Sequence, residues 1–274
     1  PSSAGACGFS EIEVRHTCAI YGTLHLLLMP TLRTPEAAVL EDILTRGVED
    51  IHVSEHLKKV LLSGQKLRVK FGIDPTGPKV HIGRAVPLWK LRAFQDLGHT
   101  VVLIIGDFTA QIGDPSDKLS KRPMLTAEKI QENLRGYKEQ LGKILDLDKV
   151  EWRYNSEWLA KLNLIETAQL AESFSLQQMA QRRNFKNRLG NNQDISLREF
   201  MYPMMQGYDS VVVKADVEIG GNDQLFNLLA GRQVQKHFGV PEQDIMATQM
   251  LEGTDGRKMS TTWGNVVTVV DEPN

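Results

Sequence analysis

The sequence predicts an α/β fold, a doubly wound parallel sheet with an inserted helical segment, and three features carry that expectation. Short apolar runs alternate with helical periodicities from Leu67 to Phe238. The runs are nearly continuous in valine, isoleucine and leucine, as strands covered on both faces are. A turn rich in glycine and proline, from Gly72 to Pro78, joins the first such run to the helix after it. In sheets of this kind ligands sit at the carboxyl ends of the strands, where such turns lie.

Element by element, Glu36 to Ser63 reads as helical, with Val39, Leu40, Ile43 and Leu44 on one face and Gly64 as its stop. Leu67–Ile73 is a predicted strand, Ile82–Leu97 a helix ended by Gly98, and Thr100–Gly106 a second strand. Together they make a parallel strand–helix–strand unit. Thr126–Asp146 carries the clearest helical stripe, with Ile130, Leu134, Tyr137, Leu141 and Ile144 at steps of four and three. That stripe fits either the parent domain or a seam between two subunits. Val150–Tyr154 reads as a strand and Asn155–Gln181 as helical core. Ser196 and Glu199 form a capping box that opens a further helix. Ser210–Ile219 reads as a strand and Asn222–Phe238 as a helix closed by Gly239.

Composition narrows the functional classes. The chain has 274 residues and a formal charge of −2, so no global field draws nucleic acid, and an RNA partner must meet local patches. Both cysteines, Cys7 and Cys18, precede Met29. The body therefore holds no disulfide or cysteine-based zinc site, which fits a reducing cytoplasm. Residues 1–28 read as an atypical extension, disordered or non-native, ahead of a start near Met29. The apolar stretch Ala19–Met29 is too short to span a bilayer, and no membrane association is expected.

Chemistry concentrates in four places. His81, Ile82, Gly83 and Arg84 follow the Gly72–Pro78 turn, at a helix N-terminus suited to phosphate. Lys258, Met259, Ser260, Thr261 and Thr262 form a second, flexible and lysine-bearing segment. Tyr202, Gln206 and Asp209 share one helix face at i, i+4 and i+7, with Pro203 beside them. Gly220, Gly221, Asn222, Asp223 and Gln224 end a predicted strand, where paired glycines admit close backbone approach. His52, His56, His99 and His237 read as surface or satisfied histidines, and Trp152 and Trp158 as core or interface residues. The cluster Arg182, Arg183, Lys186 and Arg188 reads equally as a solvated face or as a contact for RNA phosphates.

The first two segments resemble the His-Ile-Gly-His and Lys-Met-Ser-Lys-Ser motifs of class I aminoacyl-tRNA synthetases. With Tyr202, Gln206, Asp209 and the Gly-Gly-Asn-Asp-Gln run, and with Ile112 to Ser116, Lys118 and Arg122, the likeness narrows to bacterial tyrosyl-tRNA synthetases, over about residues 29–274. The resemblance implies a Rossmann-like catalytic domain with an inserted helical segment at about 118–190. It implies a tyrosine–tRNA ligase that activates L-tyrosine with ATP and then charges tRNA(Tyr), as a cytoplasmic homodimer.

Carried over residue by residue, Tyr202, Gln206 and Asp114 would hold the substrate amino group, Asp209 its phenol, and Gln224 would lie by its carboxylate. Lys70 stands where some relatives carry a tyrosine that touches the substrate hydroxyl. Gly72, Asp74 and Thr76 would hold the adenylate, Gly221 and Asp223 the ribose, and Gly83 and Met250 the adenine. His81, Arg84, Thr76 and Lys258, with Lys118, Arg122, Thr261 and Thr262, would meet the pyrophosphate. Mg²⁺ is expected on the ATP phosphates, with no protein-bound metal or prosthetic group.

Three departures stand out. Arg84 replaces the second histidine of the first motif, and Thr261 stands where the family often has a lysine. Slower adenylation than in relatives with both lysines is expected, and the pre-steady-state rate of Thr261→Lys tests it: no gain rejects the idea. The chain also ends at Asn274, short of the family's helical anticodon-binding region, so tRNA charging is expected to be impaired. Two further readings stay open, a tryptophanyl-tRNA synthetase-like enzyme and a non-catalytic nucleotide- or RNA-binding homologue.

Overall fold

A computed structural model of the chain describes residues 32–116, 124–260 and 264–272. The extension at residues 1–28 lies outside them.

In chain order the elements are α1 (Ala37–Thr45), β1 (Val48–His52), α2 (Ser54–Leu62), β2 (Arg68–Ile73), α3 (Ile82–Asp96), β3 (Thr100–Ile105), α4 (Thr109–Ile112), α5 (Ala127–Leu134) and α6 (Tyr137–Gly142). Then follow β4 (Val150–Tyr154), α7 (Ser156–Leu159), α8 (Leu164–Ala171), α9 (Leu176–Ala180), α10 (Arg183–Gly190), α11 (Leu197–Val212), β5 (Val217–Gly221), α12 (Leu225–His237) and β6 (Asp244–Thr248). The described strands form one six-stranded sheet in the order β1-β6-β5-β2-β3-β4. All neighbours are parallel except β1, which runs antiparallel to β6.

The sheet is buried on both faces, as its continuous apolar strands require. Val101, Leu103 and Ile105 of β3 point into the larger core with Val69, Phe71, Ile73, Leu88, Leu91 and Phe94. Their alternates Val102 and Ile104 face Trp158, Leu159, Met205 and Val213 on the opposite side. Each fully buried side chain of this size stabilises the fold by about 1.5–3 kcal/mol.

Five expectations need correction. The run from Glu36 to Ser63 is two helices separated by β1, which is part-exposed and pairs with β6 only at the sheet's edge. The helix over Thr126–Asp146 breaks at Gly136, whose φ of 77° ends α5 and starts α6. Its stripe nonetheless points inward: Tyr137, Leu141 and Ile144 belong to the larger core and Ile130 is buried, so the stripe is no seam between subunits. Asn155–Gln181 is three short helices, because capping boxes at Asn163 and Ser175 each start a new one. The valines at 211–213 read as strand but continue α11, since Val213 packs beneath the sheet, and β5 begins only at Val217; tertiary packing overrides β-propensity here. Strand β6, short and wholly buried, was not anticipated.

Candidate active site

A cleft opens at the carboxyl ends of β2 and β5. From β2 the sheet proceeds to β3 and β4 on one side and to β5 and β6 on the other. This is the switch point at which such sheets bind ligands.

One half of the cleft has a polar floor. The Tyr202 hydroxyl donates to Asp74 Oδ2 at 2.9 Å, and Thr109 Oγ1 donates to Asp74 Oδ1 at 2.8 Å. Burial pushes the Asp74 carboxyl up to about 6, against the lowering pull of those hydrogen bonds. Gly106 permits this closeness: a Cβ there would stand 1.9 Å from Asp74 Oδ1 and 2.4 Å from Thr109 Oγ1.

Deeper in, Asp209 accepts from Trp158 Nε1 at 2.8 Å and from Asn155 Nδ2 at 3.3 Å. Burial raises its carboxyl to about 7, although the Lys70 charge and both donors pull it down. Each carboxylate oxygen keeps a lone pair for a further donor. Asp114 accepts from Gln224 Nε2 at 2.8 Å and from the Ser116 amide and hydroxyl at 2.9 and 2.6 Å, with Arg182 3.6 Å away. Burial alone would raise this carboxyl, but Arg182 and the hydrogen bonds hold it below its ordinary value. Gln206 lines the same space and donates from Nε2 to Glu218 Oε1 at 3.0 Å.

The other half is more open and more cationic. Thr76, His81, Gly83, Arg84, Gly221, Asp223, Met250 and Lys258 line it. Arg84 reaches from the first turn of α3 to the Asp74 carbonyl at 3.3 Å and to Thr76 Oγ1 at 3.5 Å. Lys258 Nζ pairs with Asp223 Oδ2 at 2.5 Å. The segment bearing Lys258 reaches this turn because the chain beyond it docks there: the Ile82 amide donates to the Val267 carbonyl at 2.9 Å, and His81 bridges to Thr268. His81 Nδ1 is buried with no hydrogen-bond partner. Burial and the Arg84 and Lys258 charges lower this imidazole to about 4, so it is neutral at pH 7 and its cationic neighbours carry the positive charge.

One expected site residue is displaced. Lys70 does not reach the cleft; it is fully buried beneath it, paired with Glu218, because even-numbered positions of β2 point at α11. Gly72 is on the cleft wall, and a Cβ there would meet nothing within 4 Å. Lys118, Arg122, Thr261 and Thr262 lie outside the described residues. The basic cluster divides: Arg182 and Arg188 are buried, the latter paired with Glu199, while Arg183 and Lys186 face solvent.

The sequence reading gave no role in this site to Asn155, Trp158, Arg182 or Glu218, and it placed Gly106 to Thr109 at a strand end without assigning Thr109 a partner. Asn155 follows β4, so the same strand-end rule would have found it. His56 is satisfied by Asp244 at 2.8 Å and His99 by the Leu67 amide at 3.2 Å. Among the described residues no group of three or more His, Cys, Asp or Glu side chains could hold a metal ion. No helix among them is long and apolar enough to cross a membrane.

Known proteins share this sequence and this fold. The chain is 50% identical over 235 residues to a tyrosine–tRNA ligase of Dehalococcoides mccartyi, covering 85% of this chain and 59% of that protein. It is 48% identical over 241 residues to one of Thermotoga maritima, with 88% and 60% covered. The chain thus spans about six-tenths of the length of the curated relatives it matches. Among solved structures, a C-terminally truncated mitochondrial tyrosyl-tRNA synthetase of Coccidioides posadasii superposes with a TM-score of 0.70 at 25% identity, covering 82% of this chain and 70% of that one. An Archaeoglobus fulgidus tyrosyl-tRNA synthetase complexed with L-tyrosine shares the fold at a TM-score of 0.70 and 23% identity, with 86% and 70% covered. The model of the family described as tRNA synthetases class I (W and Y) matches residues 62–274, and the chain belongs to that family.

Proposed function

We propose that this chain carries the amino-acid-activating site of a tyrosine–tRNA ligase. The observation that carries the reading is Asp209, 3% exposed at the cleft floor, held by Trp158 and Asn155 with acceptor capacity left over. Such a group suits a phenol hydroxyl entering from an apolar ring. The names of relatives at about half identity favour tyrosine over tryptophan.

In the proposed reaction, a carboxylate oxygen of tyrosine attacks the α-phosphorus of ATP, forming the mixed anhydride tyrosyl-adenylate while the bond to pyrophosphate breaks. No protein nucleophile is needed. Catalysis rests on alignment and on charge placed where the leaving group becomes more negative. Asp114, Gln206 and Tyr202 would orient the amino group, and Gln224 would meet the carboxylate; all four line the cleft. Thr76, Arg84 and Lys258 would meet the phosphates, with neutral His81 supplying a ring N–H donor. Lys118, Arg122, Thr261 and Thr262 join this set by resemblance alone. Gly72, Asp74 and Gly83 would pack against the adenylate, Gly221 and Asp223 against the ribose, and Met250 against the adenine. Mg²⁺ would enter on the ATP phosphates as part of the substrate.

Transfer to tRNA(Tyr), a homodimer and a cytoplasmic setting belong to the same proposal. Arg183 and Lys186 are what the basic cluster leaves for an RNA backbone. Amino-acid-dependent ATP–pyrophosphate exchange tests the reading: tyrosine should support it at far lower concentration than any other amino acid, phenylalanine included. Dependence on tryptophan, or no exchange with any amino acid, would overturn it.

A further inference from the structure

At the base of the amino-acid half of the cleft, with Glu218 on its lining and Lys70 behind it, lies a charged pair with no part in the reaction just described. Lys70 on β2 and Glu218 on β5 stand opposite each other in parallel register. Their charged groups are 2.9 Å apart, with side chains 0% and 1% exposed. Taking two charges out of water is costly, and apolar replacements of such pairs are often no less stable. A pair like this calls for a role other than stability.

Its contacts identify one. Lys70 Nζ donates to the Gln206 carbonyl at 2.9 Å and to Ser210 Oγ at 2.7 Å. Glu218 Oε1 accepts from Gln206 Nε2 at 3.0 Å, and Glu218 Oε2 accepts from Ser210 Oγ at 3.3 Å and from Gln243 Nε2. Gln206 is therefore gripped at both its carbonyl and its side-chain amide. Asp209, one turn further on, lies between the two gripped residues Gln206 and Ser210. The Gln206 amide donates to Glu218, so the pair sets where this stretch of α11 sits beside the cleft. The Lys70 charge also bears on the Asp209 carboxyl, opposing the effect of burial.

We propose that the Lys70–Glu218 pair is a specificity-determining positioning element: by gripping the Gln206 carbonyl and Ser210, which flank Asp209 on α11, it aims the Asp209 carboxyl so that a phenol is told from a plain phenyl ring. The inference rests on the tyrosine reading. It gives Lys70 a role through other residues rather than by direct contact.

The test is ATP–pyrophosphate exchange with tyrosine and with phenylalanine on the 274-residue chain, alongside thermal unfolding. The double variant K70M/E218Q removes both charges and leaves none uncompensated. Tyrosine KM should rise about tenfold while phenylalanine KM moves far less, the effect falling on KM rather than kcat. A double variant that keeps the wild-type tyrosine-to-phenylalanine ratio, or loses both substrates in proportion, overturns the proposal. Ser210→Ala is the second arm, since it loosens the same grip without burying a lone charge. It should shift the ratio in the same direction by about threefold, and an unchanged ratio there counts against the proposal even if the double variant fails to fold. A wild-type chain indifferent to tyrosine would instead reject the tyrosine reading, and this inference with it.

Discussion

The two halves of the cleft are built on opposite principles. The amino-acid half is a finished network: Asp74, Asp209, Asn155, Thr109, Tyr202 and Trp158 satisfy one another at 2.8–3.3 Å before any ligand arrives. Asp209 is 3% exposed there, whereas Met250 on the nucleotide side is 45% exposed. The nucleotide half relies on backbone, glycines and the cations Arg84 and Lys258, one of them borne on a C-terminal segment docked by a few backbone bonds. A buried, hydrogen-bonded site suits selection among similar side chains, because a mismatched ligand leaves buried polar groups unpaired. An open cationic site suits a triphosphate whose charge moves during the reaction.

The strongest way to break that contrast is Gly106→Ala. The new methyl would overlap Asp74 Oδ1 at 1.9 Å, and neither Asp74 nor Thr109 can move without losing its partners. Overpacking of this kind costs about 1–3 kcal/mol. Tyrosine binding should fall by up to about a hundredfold while ATP binding changes little. Calorimetric titration with each ligand separates the two, and equal losses would mean that the halves are not independent.

Asp209→Asn should act more narrowly. It keeps an acceptor for Trp158 but turns an N–H₂ toward Asn155 and removes the charge that strengthens a bond from a phenol. Tyrosine affinity should drop about tenfold or more, with phenylalanine barely affected, as competition binding would reveal.

The same carboxyl makes pH a probe. With Asp209 raised to about 7 against an ordinary 3.8, the folded state holds a proton that the unfolded chain releases earlier. Its contribution to stability is complete below about pH 4, is lost as pH rises through about 7, and is then constant. Tyrosine affinity should run the other way, rising about tenfold from pH 6 to 8 as the carboxylate forms. Phenylalanine affinity should stay flat. Denaturant midpoints and binding isotherms across that range check both signs.

How much of this could be read from residues alone also divides along the two halves. Motif residues of the nucleotide side sit on turns next to glycines, so Gly72, Thr76, His81, Arg84 and Lys258 were all named as candidates from sequence. The strands β2 and β3 were legible because continuous burial leaves continuous apolar runs. Strand β1 was not, since its exposed charges mimic a helical face, and β6 was too short to register. On the amino-acid side the residues that support a site residue were mostly invisible. Trp158 and Asn155 depend on β4 ending beside Asp209, and Arg182, which reads equally as solvated or as an RNA contact, instead stacks over Phe185 and Phe226 beside Asp114. Lys70 was named as a contact because it stands where some relatives carry a tyrosine; its burial against Glu218 and α11 depends on strand pairing that the sequence does not display.

The smallest expected effect sharpens the contrast from the nucleotide side. Gly72 has room for a Cβ, with nothing within 4 Å, and its backbone is not in the left-handed region. Gly72→Ala therefore meets no protein atom and should leave the unfolding free energy the same or raise it by about 0.5 kcal/mol, since alanine has less freedom to lose. The methyl projects into the cleft, where the adenylate is proposed to lie. A few-fold rise in KM for ATP, without a matching change for tyrosine, is expected at about that energy scale. If tyrosine affinity fell as much as ATP affinity, the partition between a prebuilt amino-acid pocket and an open nucleotide shelf would be drawn in the wrong place, because Gly72 would then belong to both.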